Sequence, residues 1–203
     1  MLYPSVEIRW FFPGPPDRGL VAWFNQSHTA VGVGQRTDYY LLGVGEALNV
    51  KLREGRVEVK QRRWQRPAFM VNMRARGVME AWTKWAFDLA EGDEALRVAA
   101  QDPACWLPVH KHRRQRTFIT ELDEITETAP GSYPSRGCSA ELTVLRVSEQ
   151  EWHTLAFEAF GAGDLPGRLH SVSDYLLDAD LPRSLREADS MGYPAWIERN
   201  FVP

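Results

Sequence analysis

The sequence predicts an α+β fold: an antiparallel, barrel-like tunnel of about eight strands with peripheral and C-terminal helices. Three observations carry this. Six to eight segments alternate charged and apolar side chains at period two, the repeat of strands whose two faces meet different surroundings. The clearest, residues 48–63 (LNVKLREGRVEVKQRR), is a hairpin around Glu54-Gly55. Helix signals gather mostly at the end, so that residues 165–203 read as a helical extension packed on a single domain spanning 1–203. Strands whose polar faces share one side can close into a barrel with a wet, charged lumen and an apolar outer side covered by helices.

The elements follow in order. Residues 5–11 form a strand with Val6, Ile8 and Trp10 on one face and Ser5, Glu7 and Arg9 on the other; Phe12-Pro13-Gly14-Pro15-Pro16 ends it. Residues 17–25 suit a short helix in which Leu20, Val21 and Phe24 share a face. Gly32-Val33-Gly34 and Gly43-Val44-Gly45 lack the G-x-G-x-x-G context and read as turns. Residues 37–42 form a strand leading into the hairpin. There a two-residue loop sets Leu52 opposite Val57, Val50 opposite Val59, Lys51 opposite Glu58 and Asn49 opposite Lys60. One hairpin face therefore carries Asn49, Lys51, Arg53, Arg56, Glu58, Lys60 and Arg62.

Residues 69–76 alternate again, with Asn72, Arg74 and Arg76 opposite Val71, Met73 and Ala75, while 78–89 fits strand or helix. Residues 93–101 read as a helix ended by Asp102-Pro103. Residues 105–119 are rich in β-formers and carry HKHRRQR. A turn over 132–137 precedes a strand at 138–147 with Ser139, Glu141 and Thr143 on one side. Residues 153–160 set Thr154, Ala156 and Glu158 against Leu155, Phe157 and Ala159 as a strand, although Ser148 and Glu151 also fit a capping box. Pro182 and Pro194 are placed to open two short helices, and Tyr175, Leu176 and Leu177 suggest another before them.

Charge narrows the function classes. The formal net charge of −3 hides an asymmetry: residues 49–76 hold nine Lys/Arg against two Glu, and residues 117–203 hold six Arg against fifteen Asp/Glu. Such a chain can build a cationic site for a compact polyanion while staying acidic overall. Nucleic acid is the weaker partner, because a duplex-binding domain is usually basic overall and this one has a pI near 6.0. No stretch approaches the ~20 apolar residues of a membrane span. The segment MLYPSVEIRWFF lacks a basic n-region and a small-residue cleavage site, so the expected location is cytoplasmic. Cys105 and Cys138 have no C-x-x-C spacing and read as buried thiols. His110 and His112 lie two residues apart on a strand without an evident third metal ligand. Trp82, Trp85, Trp152 and Trp196 do not interleave with the basic strands and read as packing. No G-x-S-x-G, H-E-x-x-H or Walker A sequence occurs.

The order of charged strands resembles the CYTH superfamily, the triphosphate tunnel metalloenzymes. Ser5-Val6-Glu7-Ile8-Arg9 stands in the place of that family's opening E-x-E-x-K strand. Lys51-Leu52-Arg53 is similar to its R-x-R strand, and Val57-Glu58-Val59-Lys60 to a strand ending in lysine. Lys111-His112-Arg113 is similar to a later K-x-R strand, and Glu141-Leu142-Thr143 to the following E-x-E. Ser5 and Thr143 replace one glutamate in each acidic motif.

The resemblance implies metal-dependent hydrolysis of a triphosphate-bearing small molecule: inorganic triphosphate, a nucleoside triphosphate or thiamine triphosphate. Phosphoryl transfer of this kind needs charge neutralisation, a positioned water and a divalent cation. Arg9, Lys51, Arg53, Lys60, Arg62, Lys111 and Arg113 are the candidate phosphate clamp. Glu7 and Glu141 are the candidate catalytic carboxylates, and Glu7, Glu141 and Glu158 the candidate ligands of Mg²⁺ or Mn²⁺; Glu58 is a further acidic residue able to complete the set. Two alternatives stand beside the enzyme: a non-catalytic phosphoanion-binding module of the same fold, and a β-rich interaction protein whose charged faces are merely solvated.

Overall fold

The computed structural model of the chain describes residues 2–27, 29, 31–89, 102–121, 124–132, 134–177 and 180–202. The expected helix over 93–101 lies outside them. Nine strands form one antiparallel sheet: β1 (Tyr3–Pro13), β2 (Gly32–Leu41), β3 (Leu48–Arg53), β4 (Arg56–Asn72), β5 (Ala75–Asp88), β6 (Trp106–Glu121), β7 (Glu124–Glu127), β8 (Gly137–Val147) and β9 (Gln150–Phe160). The order β2-β3-β4-β5-β1-β9-β8-β6 closes on itself through β2–β6 pairing, leaving an eight-stranded barrel, and β7 extends the sheet beyond β6. Among the described residues the α-helices are α1 (Arg18–Phe24), α2 (Leu165–Leu176) and α3 (Tyr193–Phe201). No helix among the described residues is long and apolar enough to cross a membrane.

Strand alternation separates two environments. On β1, Ser5, Glu7 and Arg9 face the lumen, while Val6, Ile8, Trp10 and Phe12 face outward. Residues 5–12 are buried on both sides because helices cover the outer face. Leu20, Trp23 and Phe24 of α1 and Leu169, Val172 and Leu176 of α2 pack there against Val6, Ile8, Phe12, Leu155 and Phe157. Both of these helices start at an aspartate cap: the Asp17 carboxylate accepts from the Leu20 amide at 2.8 Å, and that of Asp164 from the Gly167 amide at 3.0 Å.

Helix α3 does something different. Its Tyr193, Trp196 and Ile197 cluster with Phe11, Tyr40, Val109, Leu145 and Val147, which occupy lumen-side positions of their strands. Trp196 is fully buried and stacks on Phe11 with ring centroids 4.8 Å apart. The helix therefore stoppers one end of the barrel, with Pro194 in its first turn as expected.

The hairpin register is the expected one throughout, from Asn49 opposite Lys60 to Leu52 opposite Val57. Residues 78–88 and 150–160 resolve as strands. Four expectations need correction. Gly32-Val33-Gly34 is not a turn but the start of β2, held by ten continuous pairs with β6 from Gly32–Gln115 to Leu41–Trp106 that outweigh the glycines' weak strand preference. Residues 69–76 are not one strand but a hairpin tip, because the Asn72 side-chain oxygen accepts from the amides of Arg74 (2.9 Å) and Ala75 (3.1 Å) and reverses the chain. Pro182 opens no helix: between it and α3 the described residues hold a single helical turn, the 3₁₀ turn Glu187–Asp189. Cys105 is exposed in a turn; only Cys138 is a buried thiol.

Candidate functional site

The lumen behind α3 is a cavity of about 220 Å³ lined almost wholly by polar groups. Every strand of the closed barrel contributes. β1 brings Glu7 and Arg9, β2 Arg36 and Tyr40, β3 Asn49, Lys51 and Arg53, and β4 Glu58 and Lys60. β5 adds Trp82 and Lys84, β6 Lys111 and Arg113, β8 Glu141 and β9 Glu158; Tyr193 and Pro194 of α3 form the floor. Eight basic side chains thus face four carboxylates.

Around Asp38 the wall is densest. Its carboxylate is fully buried and lies 2.9 Å from Lys111 Nζ, 3.3 Å from Lys51 Nζ and 3.1 Å from Arg36 Nε. Burial alone would raise the Asp38 pKa, but Lys111, Lys51 and Arg36 outweigh it and hold the group ionised well below the usual carboxylate range. One aspartate cannot offset both lysines. Desolvation pulls Lys51 down to about 7 and Lys111 down to about 8, despite the Asp38 charge. Lys111 also donates to the Tyr40 hydroxyl at 2.7 Å and sits 3.8 Å from the centre of the Tyr193 ring.

The acidic residues are held by the protein's own cations. Lys60 Nζ lies 2.9 Å from Glu158 and 3.4 Å from Glu7. Glu141 receives Arg113 at 3.2 Å, Arg9 at 3.4 Å and the Thr143 hydroxyl at 3.0 Å. Glu58 pairs with Arg53 and, at 3.2 Å, with Lys51. Burial works against the charge of Glu58, Glu141 and Glu158, yet their basic neighbours lower each to about 2. The geometry does not gather Glu7, Glu141 and Glu158 as a metal site: Lys60 bridges Glu7 on β1 and Glu158 on β9, and two guanidiniums claim Glu141. Among the described residues no group of three or more His, Cys, Asp or Glu side chains is placed to hold an ion.

Of the side chains expected to grip phosphate, Arg9, Lys51, Arg53, Lys60, Lys111 and Arg113 all line the lumen. Arg62 turns instead to Glu80 at 2.7 Å, over the Trp82 ring, and does not line the cavity. Arg36, Asp38, Tyr40, Glu80, Lys84 and Tyr193 are additions that the sequence did not single out. Arg36, Asp38 and Tyr40 sit at period two on β2, and Glu80, Trp82 and Lys84 on β5, so the alternation carries the signal once both strands are given their full length. The buried Arg9 Nε and Tyr193 hydroxyl have no hydrogen-bond partner here, while Arg36 Nε meets Asp38 as an ion pair without hydrogen-bond alignment. The chain matches no family model, and no curated protein matches it.

Proposed function

We propose that this protein binds the polyphosphate part of a small molecule inside the barrel. One observation carries it: eight basic side chains against four carboxylates in a narrow cavity with a closed floor. Buried like charges are costly, and an entering polyanion offsets that cost where solvent cannot. The unpartnered Nε of Arg9 supplies what phosphoryl oxygens accept, and arginine suits bidentate contact. The charged sides of β1, β3 and β4 point into the lumen, which supports a bound anion over a solvated outer face. The glutamates that a hydrolytic step would use are engaged by Lys60, Arg9 and Arg113.

The test is thermal denaturation with inorganic triphosphate. Ligand that binds only the native state raises the melting temperature in proportion to the logarithm of its excess over Kd. The wild type is expected to show this rise and Lys60→Ala to lose it; a wild type indifferent to triphosphate at every concentration overturns the proposal. Phosphate release measured with Mg²⁺ or Mn²⁺ on the same samples tells retention from turnover.

A further inference from the structure

Arg113 lines a second cavity as well, of about 610 Å³, whose other walls include Gly32, Gly34, Gln115, Thr117 and Phe160. Alternation from Arg113 places Gln115 and Thr117 on the lumen side of β6. In the same way Gly32 and Gly34 share a side with Arg36 on β2, and Phe160 with Glu158 on β9. The larger cavity is thus the continuation of the lumen past Arg113, at the end of β9 away from α3. Pro130 and Pro134 of the loop after β7 form part of its wall.

Its chemistry differs from the lumen's. Arg116 is committed to a two-point pair with Glu127 at 2.8 Å for each contact, which leaves Arg113 at the neck as the cation facing both spaces. The remaining walls are an aromatic ring, small aliphatic side chains, prolines, glycine backbone, an amide and hydroxyls, which suit a neutral organic group better than further phosphate. Gly34 is paired directly with Arg113, and a Cβ placed on it meets nothing within 4 Å. Glycine inside a strand weakens it and often marks close approach of a ligand.

We infer that this cavity receives the organic group of a phosphate ester whose polyphosphate lies in the lumen, so that the ligand is an organic polyphosphate rather than inorganic triphosphate. The inference rests on the polyphosphate-binding proposal and narrows it. Arg113 then joins the two halves, gripping the phosphate nearest the ester bond, while Gly34 keeps the neck wide enough for the group beyond.

Calorimetric titration of ATP, thiamine triphosphate and inorganic triphosphate into the wild type, Gly34→Tyr and Thr117→Tyr tests this. Tyrosine suits a strand and fills the cavity from either position. The wild type is expected to bind at least one ester about tenfold more tightly than inorganic triphosphate. Either tyrosine variant should remove that preference and leave inorganic triphosphate within about threefold of wild type. Two positions keep the test open if one variant fails to fold. Equal or tighter binding of inorganic triphosphate by the wild type, or a preference that survives both tyrosines, overturns this inference alone. A wild type that binds none of the three overturns the polyphosphate proposal and this one with it.

Discussion

Lys51 and Lys111 make the lumen sensitive to protons. Their pKa values of about 7 and 8 mean that each is partly neutral in the empty lumen near pH 8. An anion favours the charged form and raises both, so binding takes up protons above the free pKa values. Triphosphate affinity should hold steady below about pH 7 and fall as pH rises to about 9. Calorimetry in buffers of unlike ionisation heat would reveal the uptake, and a flat affinity over that range would discount the two lysines. Glu80 acts on stability, and in the same direction. Burial, and then the neighbouring Glu7 charge, raise it to about 7 from its ordinary 4.5. The folded state therefore keeps a proton that the unfolded chain releases; the resulting stabilisation is complete below about pH 4.5 and is lost as pH rises through about 7. Glu80→Gln should lack this decline, and urea unfolding at pH 5 and 8 compares the two slopes. At this scale the sequence was legible where alternation was unbroken: Glu7, Arg9, Lys51, Arg53 and Lys60 all face inward. Asp38 escaped notice because what singles it out is Lys111, brought from seventy-odd residues away by strand pairing.

Among the elements, the β3–β4 hairpin was fully readable because its turn is chemically local. Glu54 (φ 49°) and Gly55 (φ 77°) both adopt the left-handed conformation that a two-residue turn between twisted strands requires. Gly55→Ala should cost roughly 1–2 kcal/mol, since only glycine takes that conformation freely. Chemical denaturation reads it, and an unchanged midpoint would refute the assignment of strain to this turn. The β4–β5 tip was not readable in the same way: it turns on a side-chain amide at Asn72 within a run that alternates as a strand would. Helix α3 was legible as a helix, through Pro194, but not as a stopper, because its apolar side could equally cover an outer sheet face. Trp196→Ala should destabilise the protein by about 3–5 kcal/mol, the range for emptying a buried aromatic site. A thermal loss confined to a small fraction of that would place Trp196 outside the core.

For the whole molecule, closure of the barrel turns an even alternation into two unlike compartments, one charged and one oily, and gives each of the eight closing strands a neighbour on both sides. Sequence predicted this closure from the abundance of one-sided charge, but not the strand order, which depends on pairings between distant segments. β1 is the decisive case, lying between β5 and β9, with Ser5 opposite Trp82 on one side and Phe160 on the other. During synthesis the first strand leaves the ribosome long before its second neighbour exists. Until residue 160 has emerged, β1 offers an open row of amides and carbonyls beside Val6, Ile8 and Trp10, so nascent chains halted before β9 should be the form that chaperones hold and that aggregates when they do not.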